Sequence, residues 1–393
     1  MDRADEAHRL EDVGRERAAM REIFLTTLCG LLSIGALLPV LPIYITEELG
    51  LGKVSVGFAI GAYAITGIAF RPIAGWLADH RSRRLVVIIG SLTTAIAGGL
   101  LFLPLGFVSL VASRLLLGAG EGAVFTAGSA WVIDLAPPAR RARLIGLYGL
   151  SVWTGLSIGP LIGQSLFDLG GYDLVWGFAI AGPLLAAILA SRIPDPFKPK
   201  HIEGERRKFI AREALGPGGA LALASVGYAA IASFIVLHLK AQGVGHGALV
   251  FSTFAAALVI TRVIAGGLPD RLGPRRVAAV AAVLESVGLA LIALGGELAT
   301  DVIGAVIMGT AYSVLYPALS LIVIERVPPS RRGAALGTFT GAFDFGVGLG
   351  APMVGMVSAL TDYSGGFLFA AVLALLPALA YLFTLVRRAP RVA

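Results

Sequence analysis

Two carboxylates stand in stretches that are otherwise apolar, and that setting limits what they can do. Glu121 lies in the run Arg114-x3-Gly118-x-Gly120-Glu121-Gly122, and Asp344 lies between Phe343 and Phe345. An ionisable group in such a stretch is costly to keep and is either paired or functional. Arg114 precedes Glu121 by seven residues, which is two helical turns and one helical face. Desolvation and a neighbouring guanidinium act on a carboxyl in opposite senses, the tuning required of a group that loads and releases a proton. The plainer reading is a permanent Glu–Arg pair that holds the helix in place. Asp344 has three readings: a proton site, a recognition group for a cation, or the partner of an arginine elsewhere in the fold. Glu285 is a third such acid, set aside as a packing or partner contact. Tyr228, Tyr312, Tyr316, Pro39 and Pro42 are softer candidates for the wall of a binding site, since a tyrosine presents an apolar face and one hydroxyl.

The elements that must position these groups are membrane spans. Of 393 residues, 56% are hydrophobic and 15% charged, against about 25% charged in a soluble domain. Apolar stretches long enough to cross roughly 30 Å of hydrocarbon recur along the chain. They fall near 22–46, 54–78, 84–105, 108–133, 141–166 and 174–193, and then near 218–240, 247–268, 275–296, 302–324, 333–359 and 364–386. The expected architecture is therefore an all-α integral membrane protein of twelve transmembrane helices in two six-helix halves. A cytosolic N-terminal tail would cover 1–21, the halves 22–193 and 218–387, a cytosolic linker 194–217 and a C-terminal tail 388–393. Residues 1–21 are charged and have no apolar core, unlike a cleavable signal peptide. Within the linker, Ile202, Phe209 and Ile210 among basic residues predict an amphipathic helix on the inner membrane surface.

Charge placement predicts the orientation. With both termini in the cytosol, 27 of the 32 Lys and Arg residues fall on cytosolic segments, Lys53 and Lys240 fall outside, and Arg71, Arg114 and Arg262 lie within spans. That is the positive-inside asymmetry, so the net charge of +7 is a topology signal and not a nucleic-acid surface. The single cysteine, Cys29, excludes an intrachain disulfide, and no cysteine metal cluster is expected. No Gly-x4-Gly-Lys-Ser/Thr loop suggests nucleotide drive, and five scattered histidines suggest no catalytic cluster. Neither an enzyme activity nor a cofactor is expected.

The chain repeats itself. Arg71-Pro-Ile-Ala-Gly75-Trp-Leu-Ala-Asp79-His-Arg81-Ser-Arg83-Arg84 returns as Arg262-Val-Ile-Ala-Gly266-Gly-Leu-Pro-Asp270-Arg271-Leu-Gly273-Pro-Arg275-Arg276, displaced by 191 positions. The same offset pairs Gly118 with Gly309, Asp134 with Glu325, Gly146 with Gly337, Gly155 with Gly346 and Gly159 with Gly350. It also pairs Glu121 with Tyr312, which predicts that these two face each other across a pseudo-two-fold axis.

Twelve spans in a six-plus-six repeat, with this motif after spans 2 and 8, closely resemble the major facilitator superfamily. The likeness covers nearly the whole chain, although His80, Ser82 and Pro269 depart from the usual motif. The resemblance implies a cytosolic gate built from Arg71, Gly75, Asp79, Arg83, Arg84, Asp134, Arg262, Gly266, Asp270 and Arg275, with Asp79 held at the start of span 11. A carboxylate is stabilised at a helix N-terminus, which gives that latch a physical basis. Span 5 carries Gly146-x8-Gly155-x3-Gly159-Pro160-x2-Gly163-Gln164. This is similar to the motif of proton-driven efflux members and favours export over uptake. Glycines on one face let a neighbouring helix approach, and Pro160 bends its own. Together with Trp131-x2-Asp134 and Phe343-Asp344-Phe345-Gly346, the pattern resembles the drug:proton antiporter and arabinose-efflux-like branch.

By that resemblance the chain is a secondary transporter of a small organic solute (drug, sugar or metabolite) that exports by proton antiport with alternating access. Glu121, Arg114 and Asp344 would serve proton coupling. Tyr228, Tyr312 and Tyr316 would line the cavity. The expected partners are a small-molecule substrate, protons and the lipid bilayer, with the chain acting as a monomer in the bacterial inner membrane. A proton-coupled uptake symporter would use the same carboxylates, and a non-transport sensor would retain the fold.

Overall fold

The computed structural model describes residues 3–137, 141–193, 195, 211–328 and 332–388, with side chains left out at 3–17, 141–143, 333–334 and 382–388. The predicted amphipathic helix at 202–210 lies outside the described residues. Within them the regular structure is helical throughout: α1 (Arg3–Ile43), α2 (Lys53–His80), α3 (Arg83–Leu100), α4 (Phe107–Leu135), α5 (Arg141–Arg192), α6 (Leu215–Ala241), α7 (Gly247–Ala265), α8 (Leu268–Leu272), α9 (Pro274–Leu294), α10 (Leu298–Ile324), α11 (Arg332–Leu360) and α12 (Tyr363–Arg388). Among the described residues, eleven segments are long and apolar enough to cross a membrane. One of them, Leu144–Arg192, has 49 residues, about 74 Å at 1.5 Å per residue and enough to cross twice. It is interrupted where two crossings would turn, by Gly170 and by Gly171 at φ +67°.

Two boundaries differ from the sequence expectation. Residues 3–21 do not form a separate tail: α1 is one helix from Arg3 to Ile43, followed by a π-helical turn at Tyr44–Glu48. The charged stretch is rich in Ala, Glu and Arg, good helix formers that let the span propagate backwards. Predicted span 8 is cut short at Ala265, and α8 starts afresh at Leu268. Gly266 and Gly267 weaken the helix there, and Pro269 removes a backbone donor. The first copy of the motif has no such interruption, and α2 runs on to His80.

The internal repeat is visible as repeated packing. A Cβ on Gly155 would fall 2.6 Å from the Cβ of Leu31, and Gly346 meets the backbone of Ala222, 191 positions on from Leu31. Gly159 packs on Gly35 of α1, and Gly350 on Val226 of α6, again the equivalent pair. Gly118 meets the Tyr63 carbonyl, and Gly309 meets the Phe254 carbonyl. Each half thus crosses its helices at the same points, and only glycine lets the backbones come so close.

Contacts between the halves gather at the end that carries the α1–α2 turn. Gly61 lies against the Gly348 carbonyl, where a Cβ would fall at 2.6 Å. Lys53 Nζ donates to the Ser358 carbonyl at 2.7 Å, and Lys240 pairs with Glu47. Ile65, Ile73, Trp76, Val263 and Ile264 are more than half exposed, an apolar surface suited to lipid and not to water.

Candidate functional site

Between the halves lies a cavity of about 360 Å³, within the usual range for small-molecule sites. Arg71 of α2, Arg114 and Glu121 of α4, Trp153 of α5, Tyr228 of α6, Arg262 of α7, Tyr312 and Tyr316 of α10, and Asp344 of α11 all line it. Every span that the sequence marked for an intramembrane charge contributes one here, apart from α9, whose Glu285 is elsewhere. The wall continues through Ser129, Gly146 and Thr340 toward the end opposite the α1–α2 turn. Pro39 and Pro42, offered as cavity candidates, are instead buried inside α1 away from this wall.

The charged centre is a triad. Arg71 Nε stands 2.9 Å from Asp344 Oδ2, Arg71 Nη2 donates to Asp344 Oδ1 at 3.3 Å, and the same Nη2 is 3.8 Å from Glu121 Oε2. One guanidinium therefore serves both carboxylates and ties α2 and α4 to α11. Phe125, one turn beyond Glu121, stacks under the guanidinium at 5.1 Å, a cation–π contact. Asp344 is almost wholly buried, while Glu121 and Arg71 keep a little access to the cavity. Glu121 also borders a small pocket of about 20 Å³ beside Thr26, Thr27, Ser91 and Thr94, roughly the space one water needs.

Arg114 does not do what its spacing from Glu121 suggested. The carboxylate's partner is Arg71, because α4 turns Glu121 toward α2. Arg114 is 2% exposed, and among the described residues its Nε and Nη2 have no hydrogen-bond partner. Arg71 in turn was expected at the gate and stands in the cavity, as does Arg262, whose Nε donates to Ser313 Oγ at 3.4 Å.

The far wall is aromatic. Trp153 is edge-on to Tyr228 and Tyr312 with centroids 5.7 and 6.2 Å apart, and the two tyrosines stack at 6.2 Å. Tyr312 also shares a hydrogen bond with Ser225, and Tyr316 one with Thr340. Phe343, beside Asp344, comes within 5.8 Å of Tyr228. Tyr228, Tyr312 and Tyr316 all line the cavity that also holds Glu121. Trp153 was missed, although the 191 offset makes it the counterpart of Asp344.

The motif residues form a second cluster at the end opposite the α1–α2 turn. Arg83 Nη1 donates to Asp79 at 2.6 Å and Nε to Asp134 at 3.0 Å, so one arginine joins the ends of α2, α3 and α4. Ser82 caps α3, accepting from the Leu85 amide at 3.0 Å, and bonds Asp195. Gly75 passes Thr126 at ordinary contact distance, and Arg84 follows Arg83 into the first turn of α3. The second copy is built differently. Its equivalent of Arg83 is Pro274, which has no charge to give, while Asp270 sits in α8, Arg275 opens α9 and Gly266 ends α7. Residues 329–331, which lead into span 11, and the side chains of 333–334 lie outside the described residues.

In the α5 motif, Gly155, Gly159 and Gly163 share one face, as their spacing implied, and the helix packed against it is α1. Gly146 has open space around it and borders the cavity instead. Glu285 is fully buried, with neither carboxyl oxygen bonded, and lies against Gly227 of α6.

The family model of the Major Facilitator Superfamily matches residues 23–247 and 218–393. An MFS-type transporter of Salmonella typhimurium is 30% identical over 359 residues, spanning 88% of this chain and 91% of its own. One of Pseudomonas aeruginosa is 30% identical over 406 residues and 97% of both chains, and one of Burkholderia pseudomallei is 32% identical over 87% and 86%. Among solved structures, the nucleoside transporter NupG superposes with a TM-score of 0.76 at 15% identity, over 93% of this chain and 99% of that one. A bacterial homologue of the human lysosomal transporter Spinster, inward-facing and unoccupied, superposes with a TM-score of 0.77 at 19% identity, over 95% and 97%.

Proposed function

The chain belongs to the Major Facilitator Superfamily and is a multi-pass membrane transporter of that type, and from this premise we propose that it is a proton-coupled carrier of a small organic solute. The observation that carries the reading is the triad: Arg71 holds Glu121 of its own half and Asp344 of the other in one cavity. A proton on either carboxylate weakens that tie, so protonation is linked to the relative movement of the halves. Glu121, with its small polar pocket beside it, takes the proton, and Asp344 releases Arg71.

Reading α5 as two spans supports twelve, and the charge asymmetry supports both termini in the cytosol. On that orientation the contacts through Lys53, Lys240 and Gly61 close the outer side, and the cavity faces inward, the state named for the Spinster homologue. The Asp79–Arg83–Asp134 cluster then lies at the cytosolic end as part of the gate, with the chain working as a monomer in a bacterial inner membrane. The glycine face of α5 on α1 supports the motif match that favours export by antiport. One observation favours proton-coupled uptake instead. Three arginines and two acids line the cavity, and an anion bound beside those acids raises their proton affinity, so that cargo and proton travel together.

The test uses purified protein in liposomes that enclose a pH-sensitive dye, with drugs, sugars and organic acids added in turn. Proton movement that depends on one cargo, and is lost in Glu121→Gln with binding retained, is the expected result. Transport at unchanged proton stoichiometry in that variant contradicts the assignment of Glu121.

A further inference from the structure

The cavity carries more cationic side chains than its own acids can serve. Glu121 and Asp344 both pair with Arg71, and among the described residues no acid remains for the other two arginines of the wall. Among the described residues, Arg262 has only a long bond to the Ser313 hydroxyl. Arg114 is the sharper case: it is 2% exposed, has no ion pair among the described residues, and leaves Nε and Nη2 unbonded. A guanidinium taken out of water without a counter-charge is expensive, and its planar fork fits a carboxylate or sulfonate with two parallel bonds. A cation placed in this cavity would meet acids already satisfied by Arg71 and two arginines with nothing to neutralise them.

The other half of the fit comes from the aromatic wall. Trp153, Tyr228, Tyr312 and Phe343 enclose one side with ring centroids 5.7 to 6.2 Å apart. Such a wall takes an aromatic or flat apolar body by edge and face contacts. Repeat symmetry does not require the arginine: the 191 counterpart of Arg114 is Ala305, buried and apolar. The charge is particular to one half.

We propose that the cargo is an organic anion, its acidic group held by Arg114 and its apolar body laid against Trp153, Tyr228 and Tyr312. This rests on the reading of the cavity as the cargo site, and holds for either direction of transport. Glu121 and Asp344 remain the proton groups, and Arg114 recognises cargo.

The experiment uses the full-length protein in nanodiscs and three probes of one shape: 1-naphthoate, 1-naphthamide and 1-naphthylmethylammonium. Binding is read by energy transfer from tryptophan and by the shift in melting temperature. Wild type is expected to bind the naphthoate at least tenfold tighter than the amide and the ammonium. Arg114→Gln is expected to remove that preference, and Arg114→Lys to restore part of it. An unliganded Arg114→Gln protein that melts no lower than wild type shows that the loss is not unfolding. A wild-type protein that prefers the amide or the ammonium overturns the proposal without any variant. An anion preference unchanged in Arg114→Gln overturns the role of Arg114. The same probes in proteoliposomes separate this failure from that of the transport reading. A naphthoate that binds through Arg114 and never crosses leaves the anion site standing and removes the carrier. Proton-linked flux of the ammonium alone keeps the carrier and removes the anion site.

Discussion

Asp344 and Trp153 stand at equivalent positions of the two halves, 191 residues apart. Asp344 pairs with Arg71, while Trp153 packs edge-on to Tyr312, itself the counterpart of Glu121. The same scaffold positions therefore build an ionic triad of Arg71, Glu121 and Asp344 on one side. On the other they hold Arg262, Tyr312 and Trp153, an arginine facing rings in place of acids. The pseudo-symmetry gives the cavity its shape, and its violation gives the two walls different chemistry.

The triad predicts an asymmetric response to neutralisation. Asp344→Asn leaves Arg71 with only the 3.8 Å contact to Glu121, and removing one member of a buried pair costs about 3–5 kcal/mol. Arg71→Gln combined with Asp344→Asn is expected to recover much of that loss. A double-mutant cycle on thermal unfolding measures the coupling, expected at about 1–3 kcal/mol for groups in contact.

The glycines of α5 separate into two classes. A Cβ on Gly159 would fall 2.7 Å from the Leu32 carbonyl, whereas Gly146 has nothing within 4 Å. Gly159→Ala is expected to destabilise by roughly 1–3 kcal/mol through forced separation of α1 and α5. Gly146→Ala, at a cavity-lining position with room, is expected within about 0.5 kcal/mol of wild type. Melting of the two variants in one detergent checks the contrast.

Arg83 joins three helix ends, and its Asp134 contact is partly open to water. Such an exposed pair contributes about 1 kcal/mol or less to stability. Arg83→Ala is accordingly expected to fold and melt nearly as wild type, yet to change how often the end that carries Asp79 and Asp134 closes. Accessibility of a cysteine introduced at Ser129, in the cavity wall, reports that change.

A monoanionic cargo makes the transport mode measurable. Exchange of one anion outward for one proton inward moves two charges, worth about 4.6 kcal/mol per 100 mV, while co-transport of the two moves none. With the potential set by potassium and valinomycin, the antiport reading expects naphthoate efflux to rise steeply as the interior is made negative. Flux that ignores the potential assigns the chain to co-transport.

Much of this was legible in the sequence, for physical reasons. The charge deficit and span lengths pointed to the membrane fold, since hydrocarbon leaves few alternatives. The 191 offset exposed the repeat, and the glycine spacing of α5 predicted one face open to a neighbouring helix, which is α1. What the spacing could not give was rotation about helix axes. Arg114 and Glu121 share a face, yet α4 packs so that Glu121 meets Arg71 and Arg114 meets no acid. Contact between Arg71 and Asp344 joins residues 273 apart, beyond any local pattern. Glu285 was set aside as a packing or partner contact, and its full burial against Gly227 of α6 is a tertiary feature that no local pattern carries.

The central claim is that Glu121 and Asp344 couple cargo to protons, and the most direct measurement counts protons when cargo binds. Naphthoate is added to the protein in weakly buffered nanodiscs with a pH indicator present. The account predicts close to one proton exchanged per cargo bound in wild type, and none in the double variant Glu121→Gln, Asp344→Asn with binding retained. Release of the proton assigns antiport, and uptake assigns co-transport. Binding with no proton exchanged in wild type, or exchange that persists in the double variant, contradicts it.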